Sequence, residues 1–93
     1  MTGTERSSDG LEVRRKKLLF HAWHRGTREM DLLLGRFADA TIADLSDHEV
    51  AEFEALMKVP DPDLYAWIAG QADIPDTWNE GILRKIIAFH DRP

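Results

Sequence analysis

The chain has no cysteine among its 93 residues, which removes disulfides, thiolate nucleophiles and cysteine-based zinc sites in one step. Long apolar runs are also missing, and none approaches the roughly 20 residues that a membrane-spanning helix needs. There is no Gly-rich phosphate loop and no Gly-x-Ser-x-Gly elbow, and the only serines are Ser7, Ser8 and Ser46. Nucleotide cradling and serine-based acyl transfer therefore have no foothold. Positive charge is in deficit, 12 Lys and Arg against 17 Asp and Glu for a net charge of −5, the wrong sign for general binding to nucleic acid. No segment alternates with the period of a strand, and no stretch repeats itself.

What is present is enough for one small core. Hydrophobic residues make up 43% of the chain, with three Trp and four Phe, and a chain of this length has room for one such core and not two. Residues 1–8 are polar without a period and are expected to form a mobile tail, leaving residues 9–93 as a single helical domain. Glu5 and Asp9 near the start fit neither a signal peptide nor a transit peptide, so a bacterial cytoplasmic protein is expected.

The apolar spacing predicts an all-α fold, a small bundle of about five short helices. Asp9 and Glu12 resemble a capping box that opens the first helix near Gly10, and Leu11, Leu18 and Ala22 with Leu19 and Trp23 form its inward side. Met30, Leu33, Leu34 and Phe37 give the buried face of a second helix, in which Gly35 marks a close approach by a neighbour. Ser46 to Glu49 is a capping box with Leu45 and Val50 as its hydrophobic staple, opening a third helix that Pro60 ends. Asp61 as a cap with Pro62 at the first helical position opens a fourth, which carries Leu64, Trp67 and Ile68 and stops at Gly70, with Trp67 expected in the core. Asp76 or Thr77 is expected to cap the fifth.

The most charged turn lies between the first two helices, at Arg25-Gly26-Thr27-Arg28-Glu29-Met30-Asp31. Gly26 permits a positive φ, Thr27 is placed to cap the second helix, and Glu29 and Asp31 fall in its first turn, where the helix dipole favours negative charge. As plain surface chemistry, Arg25 with Glu29 and Arg28 with Asp31 are ion pairs worth ~0.2–1 kcal/mol each. As a site, two arginines beside a helix N-terminus offer fork-shaped donors to a partner's carboxylate or a phosphate.

These residues carry a resemblance. Arg25-Gly26-x-x-Glu29 behind a basic amphipathic helix, then Asp31-Leu32 and the Asp61-Pro62-Asp63-Leu64-Tyr65-Ala66-Trp67 stretch, is similar to the small FAD assembly factors of succinate dehydrogenase, over about residues 14–90. The resemblance implies a non-enzymatic helper that binds the flavoprotein subunit of succinate dehydrogenase, with that of fumarate reductase as a second candidate client, and promotes covalent attachment of FAD. FAD is then the client's cofactor, and the helper holds none tightly. It also implies that the turn meets the client, which assigns partner binding to Arg25, Gly26 and Glu29 and more loosely to Arg28, Asp31 and His24. His24 stands where relatives commonly have arginine or lysine, and Thr27 where methionine is frequent; a charge on His24 would depend on pH near its ordinary value of about 6.5.

Other readings stay open at this stage. A regulatory, antitoxin-like binding module needs no client flavoprotein. A small enzyme or metal protein would have to use His21, His24 and Glu29, whose spacing matches no zinc signature. Arg14 to Lys17 reads as the solvated face of the first helix, or as a patch that steers an acidic partner.

Overall fold

The computed structural model describes residues 12–91, so the expected tail and the Asp9 half of the first capping box lie outside the described residues. Five α-helices follow one another in the order α1 (Val13–Trp23), α2 (Arg28–Thr41), α3 (Asp47–Leu56), α4 (Asp61–Ile68) and α5 (Ile82–His90), with a single 3₁₀ turn at Asp76–Trp78. No described residue is in a strand. The all-α expectation therefore holds.

Helix α1 is preceded by Glu12 as an N-cap whose side chain makes no capping bond, and it turns Leu18, Leu19, Ala22 and Trp23 inward. Its partner in a helical hairpin is α2, and the close approach expected at Gly35 is real. A Cβ on Gly35 would overlap the indole of Trp23, so only glycine lets the ring lie flat on the α2 backbone. Phe37 is the hub of the core: its ring meets Phe53 of α3 at 5.7 Å and Phe89 of α5 at 5.6 Å, both edge-on. One cluster of buried side chains runs from Leu18 to Ile86 through every α-helix, and each large apolar side chain in it is worth about 1.5–3 kcal/mol of burial.

Three details depart from the sequence reading. Helix α3 ends at Leu56, before Pro60, and Pro60 itself is the N-cap of α4, because the Asp61 carboxylate is engaged elsewhere. The residues Asp76–Trp78 form the 3₁₀ turn instead of opening α5, whose N-cap is Gly81 at φ +85°. Arg84 pins that connection by donating to the main-chain and side-chain oxygens of Asn79, at 3.1 and 2.5 Å. Finally, Trp67 is half-buried at the edge of the core instead of lying within it.

Candidate functional site: the turn between α1 and α2

Gly26 adopts φ +108°, and a Cβ built there would meet nothing within 4 Å. The glycine is thus required by the backbone and not by crowding, and its bare face opens outward. Thr27 then caps α2 as its sequence position predicts, its hydroxyl oxygen accepting from the Met30 N–H at 3.3 Å. Local chemistry shapes the backbone of this joint.

Arg25 is held from both ends. Its main-chain N–H donates to the Asp31 carboxylate at 2.5 Å, and its guanidinium reaches across to the segment between α3 and α4 and the first residue of α4. There Nε donates to Asp61 at 2.8 Å, Nη1 to the Met57 carbonyl at 2.5 Å and Nη2 to the Val59 carbonyl at 2.8 Å. The side chain keeps only 12% of its exposure. The surface pairs expected from spacing are therefore replaced. Arg25 pairs with Asp61 and not with Glu29, and Asp31 serves the Arg25 main chain and not Arg28.

Arg28 and Glu29 are exposed, and neither takes part in an ion pair among the described residues. His24 is exposed too, with its ring stacked on Phe20 at 3.9 Å and 18°. Its Nδ1 lies 2.7 Å from the Phe20 carbonyl, an acceptor, so this nitrogen carries the proton and Nε2 faces away from that bond. Phe20 is itself 54% exposed. An aromatic pair thus stands beside the charged turn.

Across the joint, Thr27, Glu29 and Met30 share an open hollow of about 220 Å³ with Asp61, Pro62 and Tyr65. Arg25, just before α2, bonds Asp61 on the opposite side of this hollow. A larger hollow of about 360 Å³ lies among Phe37, Leu45, Ala88 and Phe89, and shares no residue with the turn.

The sequence reading placed Arg25, Gly26, Arg28, Glu29, Asp31 and His24 at one joint, and they do gather there. It missed Phe20 and Tyr65 as neighbours. The Phe20–His24 spacing of four on a helix carried the first signal, whereas the Met57 and Val59 carbonyls leave no trace in side-chain identity. Among the described residues no group of three His, Asp or Glu is placed to hold a metal ion. The Arg14 to Lys17 run is only partly solvated: Arg14 pairs with Glu54 at 2.7 Å, and Arg15 donates to the Ile42 carbonyl at 2.6 Å and to Asp47 at 3.2 Å. Lys16 and Lys17 remain exposed.

Comparison with known proteins covers nearly the whole of the described chain. A family model described as "Flavinator of succinate dehydrogenase" matches residues 16–90. Among curated proteins, the chain is similar to the FAD assembly factor SdhE of Acetobacter pasteurianus, 35% identical over 87% of this chain and 74% of that protein. It is also similar to the mitochondrial succinate dehydrogenase assembly factor 2 of Dictyostelium discoideum, 38% identical over 86% of this chain and 56% of the relative. The factor of the same name in Debaryomyces hansenii is 33% identical over 89% of this chain and 61% of its own length. The chain thus spans little more than half the length of these mitochondrial relatives. All three relatives are named as assembly factors. No solved structure matches.

Proposed function

From the premise that this chain belongs to the family described as flavinator of succinate dehydrogenase, we propose that it binds the flavoprotein subunit of that enzyme and promotes covalent attachment of FAD. Fumarate reductase's flavoprotein subunit is a second client on this reading, and the bacterial cytoplasm its place of action. No helix among the described residues is long and apolar enough to cross a membrane.

The single observation that carries the reading is the state of the turn. Arg28 and Glu29 stand exposed, with no ion pair among the described residues, on a backbone that Thr27 caps and Arg25 fastens. Most exposed charges on a small helical protein move freely, and ordering them on binding costs side-chain entropy. Here the main chain beneath them is already fixed, so only the side chains remain to be ordered when a partner grips them. The bare face of Gly26 lets the partner's own backbone come close.

The chemistry asked of such a helper is modest. FAD is the client's cofactor, and the bond to a client histidine is formed by the flavin's own reactivity. The helper has to hold the client's domains in reactive geometry, a role for which orientation alone is worth large rate factors. Nothing in the turn acts as nucleophile or base.

The test reads covalent flavin in the client subunit by in-gel fluorescence, with the wild-type protein, with Glu29→Ala and with no factor. Fluorescence should rise with wild type and fall with the variant while circular dichroism shows both folded. Equal fluorescence in all three would overturn the proposal and leave a regulatory binding module as the reading to pursue. Gly26→Arg should likewise keep its helicity and lose the client, and normal client capture by that variant would take the turn out of the interface.

A further inference from the structure

We propose that Arg25 acts on the partner from inside the molecule, as a positioning residue that sets the Pro62–Tyr65 wall of α4 beside Glu29. The partner then meets a two-walled surface and not the guanidinium. The inference rests on the client-binding reading above for its partner, the flavoprotein subunit, but its geometry belongs to this chain alone.

Three observations carry it. First, the fork of Arg25 is fully committed: Nε and both Nη nitrogens already donate to Asp61, Met57 and Val59. Turning outward to a partner's carboxylate would strip two half-buried carbonyls and one carboxylate of their donor, which disfavours the move. Second, these acceptors all lie on the segment that leads into α4, so the bonds fix where α4 starts. Third, the residues at that start, Asp61, Pro62 and Tyr65, form one hollow with Thr27, Glu29 and Met30 from the turn. Tyr65, which lines it, is 37% exposed, and tyrosine is among the residue types on which binding energy concentrates.

The distinction from a direct contact is sharp in chemistry. A direct contact leaves the free protein unchanged when Arg25 becomes lysine, whereas a clamp needs the planar fork to satisfy three acceptors at once, so its loss moves the α4 wall before any partner binds. Arg25→Lys keeps the charge and loses the clamp.

Tyr65 is the chain's single tyrosine, so 3-fluorotyrosine labelling gives one ¹⁹F signal from the α4 wall. In the free protein, Arg25→Lys should shift or broaden that signal while circular dichroism stays helical. Affinity for the flavoprotein subunit should fall about tenfold or more in Arg25→Lys and several-fold in Tyr65→Leu. The double variant should lose little beyond Arg25→Lys, because the wall is already displaced. Wild-type affinity in Arg25→Lys, or losses that multiply in the double variant with the ¹⁹F signal unmoved, would overturn the inference. If Arg25→Lys fails to fold, Asp61→Asn replaces it: it retains an acceptor but not the ion pair, and the same ¹⁹F shift and non-multiplying loss are required. If wild-type protein does not bind the flavoprotein at all, the functional reading fails instead. The ¹⁹F comparison in the free protein then decides alone whether Arg25 sets the wall.

Discussion

Two glycines in α2 and its approach look alike in sequence and ask for opposite explanations. Gly26 has open space and a positive φ, so alanine there should cost about 1 kcal/mol through the backbone. Gly35 has ordinary helical φ but lies under the Trp23 indole, so alanine there forces the ring away and should cost about 1–3 kcal/mol by overpacking. Urea unfolding of the two variants checks the order, and a shift in the folded protein's tryptophan emission should accompany only Gly35→Ala. Both roles were legible, Gly26 from the charged turn around it and Gly35 from its place on an otherwise good apolar face. Arg25 was not. Its partner Asp61 is 36 positions away, and the carbonyls of Met57 and Val59 belong to residues whose side chains say nothing about them.

Among the helices, α3 was the easiest to read and α5 the hardest, for one physical reason. The start of α3 is written in a reciprocal pair: the Ser46 hydroxyl accepts from the Glu49 N–H at 3.1 Å, and the Glu49 carboxylate accepts from the Ser46 N–H at 2.9 Å. Such a cap is local chemistry, and Ser46→Ala should remove about 1 kcal/mol of stability, measurable as a lower midpoint in thermal melting. At α5 the capping candidates Asp76 and Thr77 were present but idle. The connection is set by Gly81 at the cap and by Arg84, inside the helix, bonding back to Asn79, so the side chains fit for capping do not decide where the helix begins. Asp61 shows the same limit: a residue fit to cap its own helix is drawn instead to an arginine on another.

At the scale of the molecule, the ion pairs that join α3 to its neighbours include Glu49 with Lys85 of α5 and Glu54 with Arg14 of α1. The hydrogen bond from Lys85, and after it the Ser46 main chain, hold Glu49 below its ordinary value of 4.5, and the bond from Arg14 does the same for Glu54. The unfolded chain therefore binds more protons than the folded one as acid is added. The stability from these pairs is complete above about pH 4.5 and is lost as pH falls through the lowered folded values. Urea midpoints between neutral and acid pH should fall on that limb, and Glu49→Gln should flatten it; an unchanged slope would remove the pair from the account. All-helical architecture and the location of the charged joint were legible at this scale because both follow from periodicity. The tertiary assignments of single charges were not. The clamp on Arg25 also has a consequence in time. A chain is made from its N-terminus, so α1, the turn and α2 emerge from the ribosome before Met57 to Asp61 do. The hairpin is able to form first, but its arginine has nothing to hold until the α3–α4 segment arrives, which makes closure of this joint a late event in synthesis and ties the readiness of the surface to the completion of the domain.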